Sequence, residues 1–157
     1  MAKPGNPHLI VIHAEHRGLG YPEVLKFYEL RPAKSEYTIG RRPESDFLIP
    51  SHRLTKESVA ENHLVLRRGK AGFSVENLGS EAGTHLNGSP LKSRALAHAD
   101  VITIRKPGEE PVVSIVFDAT GGLARTIREN HESDAREALD EVRRMVYSKQ
   151  ERARKRP

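Results

Sequence analysis

The 157 residues contain no cysteine and no tryptophan, and only 5% are aromatic. Without cysteine there is no disulfide to staple a small fold, no thiolate metal site and no cysteine nucleophile, and the redox compartment stays open. No apolar run approaches the roughly 18 residues that a transmembrane helix needs. The amino terminus, MAKPGNPHLIVIH, lacks the pattern of a cleavable signal. The expectation is a cytoplasmic protein that does not engage a membrane. No phosphate-cradling glycine loop, paired-carboxylate motif or nucleophile elbow is visible, and the eight histidines show no HExxH or other paired metal spacing. Accordingly no enzyme activity, no metal and no cofactor is expected.

What is present is charge and short apolar runs. Charged residues make up 30% and hydrophobic ones 36%, a length and balance that suit one domain of about 100 to 120 residues plus an appendage. The net charge of +5 is uneven. Residues 1–118 hold 16 Lys and Arg against 14 Asp and Glu, whereas residues 119–157 hold 10 against 7. At the end, Lys149, Arg152, Arg154, Lys155 and Arg156 face only Glu151. This basic tail, 150–157, reads as a solubilising terminus whose cations suit a helix C-terminus. Contact with nucleic acid is the alternative, but no reading motif accompanies it and few aromatics are available for stacking. Nucleic acid is not the expected partner.

From residue 8 to residue 118, β-branched runs hand over to loops carrying Gly, Asn, Ser or Arg. Leu9 to Ile12 is continuously apolar, as in a strand buried on both faces. Leu25 and Phe27 alternate with Lys26 and Tyr28, and Phe73, Val75 and Asn77 alternate with Ser74, Glu76 and Leu78. Residues 101–104 and 112–118, split by KPGEEP, read as a closing hairpin. The pattern predicts an all-β fold, a two-sheet sandwich of about 11 short strands over 8–118, preceded by a flexible lead-in at 1–7. Gly121-Gly122 marks a flexible joint in a linker at 119–134. Leu123, Ile127, Ala135, Ala138, Leu139, Val142, Met145 and Val146 recur at steps of three and four, the signal of an amphipathic helix, strongest over 135–149. Asp134 followed by Glu137 gives it a capping-box-like start. So narrow a seam is marginal alone. It must pack on the sandwich, the leading expectation, on a second copy of the chain, or on another protein.

The loops carry the site candidates. Gly40-Arg41 stands at a strand exit: a planar guanidinium suits bidentate capture of phosphate, and the glycine permits close backbone approach. Equally, Arg41 could pair with a carboxylate such as Glu44. The order YTIGRR (37–42), SDFLIP (45–50), His63 and LGSEAGTHLNG (78–88) resembles the forkhead-associated (FHA) domain, a phosphothreonine-peptide reader. That family's pattern is Gly-Arg after a strand, an acidic-apolar strand, Ser-Arg-x-His, and Gly-Ser-x-Asn-Gly-Thr with Asn-Gly close behind. The resemblance covers about 8–118 and implies that Gly40, His63 and Gly83 support the binding loops, His63 as an internal prop. It also implies that Arg41, Thr84 and Asn87 face the peptide, whose partner would be a protein or a phosphopeptide.

The departures are as informative. Ala60 replaces the phosphate-binding serine, Glu61 a common Arg or Lys, and Ala82 the asparagine that holds the peptide backbone. Each hydrogen bond lost to a charged group costs about 1.5–3 kcal/mol, so two losses carry a micromolar site to millimolar or weaker. The expected function is therefore a phospho-independent interaction or scaffold module. The alternative is a phosphothreonine reader in kinase signalling whose pocket is rebuilt from Arg41, Arg42, Arg53 or Lys56. The last two lie in a loop at 50–62 that is longer than the family's and is expected to be either a working surface or disordered. Self-association through the helix completes the set.

Overall fold

The structure, a computed structural model, describes residues 5–15, 17–79 and 83–154, with side chains through Lys149. Its strands are β1 (His8–Ala14), β2 (Glu23–Glu29), β3 (Glu36–Gly40), β4 (Phe47–Leu48), β5 (Leu64–Gly69), β6 (Gly72–Asn77), β7 (Thr84–Leu86), β8 (Ser89–Pro90), β9 (Ser93–Ala95), β10 (Val101–Ile104) and β11 (Val113–Asp118). Two helices follow, α1 (Gly122–Asn130) and α2 (Ala135–Arg154). One sheet runs β2-β1-β11-β10-β7-β8 and the other β4-β3-β5-β6-β9, every pairing antiparallel except β3 with β4. This is the expected two-sheet sandwich with a C-terminal helix.

Why β1 lacks a polar face is now plain. Leu9 and Val11 point between the sheets, where they join Ile39, Leu64, Leu66, Val75, Ile102 and Ile115. Ile10 and Ile12 point the other way, into a second apolar layer with Val101, Val116 and the helices. Over β1, β10 and β11 the outer face of the six-stranded sheet is thus an interior surface. β2 obeys the alternation read from its sequence: Leu25 and Phe27 pack towards the helices and Tyr28 towards the sandwich core.

The helical region is larger than its periodicity suggested. Residues 119–134, expected as a linker, hold α1, whose Ala124 and Ile127 are buried against the sheet. Asp118 starts this helix: its fully buried carboxylate accepts hydrogen bonds from the N–H groups of Gly121 (3.1 Å) and Ala124 (2.8 Å). Gly121 is no loose joint either. It is buried at φ 77°, and a Cβ there would stand 2.6 Å from the Asn6 carbonyl oxygen. That backbone needs glycine on both counts.

In α2 the buried seam is Ala138, Val142 and Val146, with Leu139 and Met145 half-buried beside it, whereas Ala135 is exposed. Asp134 caps the helix through the N–H groups of Arg136 (3.0 Å) and Glu137 (3.2 Å). Only half of the capping box forms, because the Glu137 carboxylate approaches His131 (3.4 Å) and the Asp134 N–H bonds to the His131 carbonyl. The helix runs on to Arg154, past the expected end at 149 and into the segment read as a tail. The lead-in is also tied down where it is described: Pro7 accepts a bond from the Leu30 N–H, and Asn6 one from the His8 ring. No helix among the described residues is long and apolar enough to cross a membrane.

Candidate functional site

The parallel pairing of β3 with β4 brings the strand exit at Gly40 beside the loop that follows β4, since the Ile49 N–H bonds to the Gly40 carbonyl (2.8 Å). The chain from Val59 to Glu61 then runs along the same exit, with the Arg41 N–H on the Ala60 carbonyl and the Arg42 N–H on the Glu61 carbonyl (3.1 Å). The approach is so close that a Cβ on Gly40 would stand 2.1 Å from the Glu61 carbonyl oxygen. Gly83 is constrained in the same way, 2.3 Å from the Arg105 carbonyl oxygen by the same construction. Glycine at both positions is a requirement of packing.

His63 stands at the centre. It is fully buried; its Nδ1 accepts the Ala60 N–H (2.8 Å), so the proton sits on Nε2, which donates to the Thr84 hydroxyl (2.7 Å). Burial pushes its pKa down to about 4, keeping the ring neutral. The ring also fills the space beside Gly79, where a Cβ would lie 2.8 Å from it. The histidine therefore clamps three segments, around Ala60, Gly79 and Thr84, in the role of an internal prop.

Arg41 does not reach for Glu44; Arg42 does (3.0 Å). The Arg41 guanidinium turns inward, donating from Nε to the Val59 carbonyl and from Nη1 to the Ser51 hydroxyl (3.0 Å). Ser51 is a residue of the site that no sequence motif marks. It lies ten residues from Arg41, and only the parallel register of β3 and β4 brings the two together.

The loop at 50–59 is neither disordered nor open. Thr55, completely buried, donates its hydroxyl proton to the Pro50 carbonyl (2.6 Å) while the same oxygen accepts the His52 N–H (3.1 Å). Bonds from the Lys56 N–H to His52 and from the Val59 N–H to Thr55 wind the segment into successive turns. His52 Nδ1 accepts the Leu54 N–H, and its Nε2 donates to the Ala14 carbonyl (2.8 Å), tying the loop to the end of β1. Arg53 lies over the Tyr21 ring, 5.7 Å from its centre, and Glu57 pairs with Lys106. Arg53 and Lys56 are exposed, on the loop's outer side. The adjoining β1–β2 hairpin holds Leu19 wholly in solvent at its tip.

Other expected site residues are placed differently. Thr84 is completely buried behind His63, so it cannot face a peptide; the hydroxyl is part of the clamp. Asn87 uses both side-chain atoms internally: its oxygen accepts the Val101 N–H (2.9 Å) and its amide donates to Asp100 (3.0 Å), holding a turn at φ 49°. Ala60 is half-buried and Glu61 exposed. Ala82, with Ser80 and Glu81, lies outside the described residues.

The arrangement agrees with what comparison finds: the FHA domain model matches residues 37–105. Over those residues the chain is an FHA domain. FHA domains are protein-interaction modules that typically bind phosphothreonine, and residues 8–36 and 106–118 complete this one's six-stranded sheet. The chain is 36% identical over 69 residues to an oxoglutarate dehydrogenase inhibitor of Corynebacterium diphtheriae, a match covering 44% of this chain and 45% of that one. It thus spans less than half the length of that relative. An engineered FHA domain solved with a Myc-pTBD peptide superposes with a TM-score of 0.54 at 17% identity, over 80% of this chain and 99% of the other. The amino-terminal FHA domain of S. cerevisiae Rad53p, solved with a phosphothreonine peptide, gives 0.52 at 18% identity, over 75% and 98%. At such identities these likenesses establish the fold, and the chemistry of the loops has to be read from this chain's own residues.

Proposed function

We propose that this FHA domain is a non-catalytic protein-interaction module that recognises its partner without requiring a phosphate. The observation that carries the reading is the state of Arg41. Its guanidinium is closed on the Val59 carbonyl and the Ser51 hydroxyl, beside a methyl group at Ala60 and a carboxylate at Glu61. A dianion entering there would have to break bonds already made, and would meet one like charge and no hydroxyl at Ala60. The clamp around His63 needs no ligand to hold the loops. Partner contact falls instead to the ordered 50–59 loop with Arg53 and Lys56, joined by Leu19 on the neighbouring hairpin. The seam of α2 is covered by the sandwich, which favours a monomer over association through that helix.

The test is recovery of partners from the source lysate before and after phosphatase treatment, with a phosphothreonine library and its unphosphorylated twin alongside. Equal recovery is expected, lost in Leu19→Ser with Arg53→Glu and retained in Arg41→Ala. Recovery that disappears with phosphatase and with Arg41→Ala defeats the reading. One observation favours the second reading, a rebuilt phosphothreonine pocket: Ser51 places a hydroxyl 3.0 Å from Arg41, and that pair could open together onto a phosphate. Micromolar phosphothreonine binding abolished by Ser51→Ala would establish it.

A further inference from the structure

A second surface lies on the far side of the six-stranded sheet. β2 ends that sheet, and among the described residues it pairs with β1 alone, so no described strand lies beside the outer backbone edge of Glu23–Glu29. Between β2 and the helical hairpin runs a groove of about 820 Å³, within the range of ligand-binding clefts. Its floor is apolar, built from Leu25, Phe27, Ile127 and Leu139. Its rim is cationic: four arginines line it against two glutamates. Two of the four are spoken for, Arg17 by Glu15 and Arg143 by Glu23 and Asp140. Arg128 and Arg136 are exposed and make no ion pair among the described residues; Arg128 rests 4.3 Å from the centre of the Phe27 ring.

We infer that this edge and groove take an extended peptide segment whose groove-facing side chains alternate apolar with acidic residues. The added strand would bond to the free edge of β2, its apolar side chains would cover Leu25 and Phe27, and its carboxylates would meet Arg128 and Arg136. The inference rests on different residues from the loop surface above and stands or falls separately.

The probe is a labelled peptide, Thr-Leu-Thr-Glu-Thr-Leu-Thr-Glu, and its control has Lys in place of Glu. Titration of the full chain by fluorescence anisotropy is expected to show the Glu peptide binding about tenfold tighter than the Lys peptide, with the difference shrinking as salt rises. Hydrogen exchange should slow in residues 23–29 when the Glu peptide is added. Arg128→Glu with Arg136→Glu should remove the preference; because Arg128 also packs on Phe27, Arg136→Glu alone serves as the variant that leaves packing intact, and should reduce it. Arg53→Glu, on the other surface, should change nothing. Equal binding of the two peptides, no binding at millimolar concentration, or protection confined to other strands would overturn the inference. So would protection of 23–29 that grows with protein concentration without peptide, which would make a second copy the occupant.

Discussion

The neutrality of His63 has consequences that titration can read. An unfolded chain carries an ordinary histidine near 6.5, whereas the folded ring is held to about 4 because a charged imidazole would be stranded in the core. Above pH 6.5 both states are neutral and stability is complete. As pH falls from 6.5 to about 4 the unfolded state takes up a proton that the folded state refuses, so about 3 kcal/mol of stability is lost across that window. His13, also buried and shifted down by desolvation, pushes the same way. Denaturant melts between pH 7 and 4 should show this slope, and it should flatten in His63→Ala. At pH 7 the same variant should lose about 2–4 kcal/mol, since it leaves a cavity and strands the Ala60 N–H and the Thr84 hydroxyl. A variant as stable as the parent would show that the clamp is ornamental.

At the scale of elements, two short determinants decide how the helices sit. Asp118 is the last residue of β11 and also the acceptor for the first turn of α1, so strand end and helix start are one structural unit. Asp118→Ala should cost about 2–3 kcal/mol by leaving buried N–H groups unpaired. Faster hydrogen exchange confined to residues 121–130 would be its signature, and unchanged exchange there would refute the assignment. The helices in turn cover Ile10, Ile12, Val101 and Val116. A chain ending at Asp118 would expose this layer, at roughly 1.5–3 kcal/mol per large side chain. It should therefore melt at a lower temperature and self-associate, while a soluble monomer with the parent's melting curve would mean that the packing contributes nothing.

For the whole molecule, the surplus of positive charge bears on partners. With a net +5 and no recognisable nucleic-acid-reading motif in the sequence, retention on nucleic acid should be weak, blind to sequence and steeply reduced by salt, because each neutralised phosphate releases counterions. Tight binding near physiological salt, measured by filter retention on unrelated duplexes, would promote the basic end to a working surface. Arg154 closes α2, while Lys155 and Arg156 lie outside the described residues, so charge in this region is carried at least partly on a helix. The β1–β2 hairpin borders both proposed surfaces, with Leu19 at its tip and Arg17 and Glu23 on the groove, but the cations tested lie on different elements, Arg53 on the 50–59 loop and Arg128 and Arg136 on the helices. Variants of each should therefore behave independently.

Strand positions, alternation and the loop motif were legible in the sequence because each is a local pattern: a period of two, a glycine where backbones touch, a histidine at a fixed offset from its loop. The doubly apolar run at Leu9 to Ile12 even announced a layer on each side of β1. Half of what covers its second side, the α2 seam, was the leading expectation for the helix, but α1 was not legible, since it offers only two buried residues over nine and its cap comes from a strand. Nor could spacing show that Thr84 faces His63 and not solvent, or that Arg41 finds Ser51. Those outcomes depend on which segments the parallel β3–β4 register and the buried clamp bring into contact across the chain, and that is a property of the packed sheets alone.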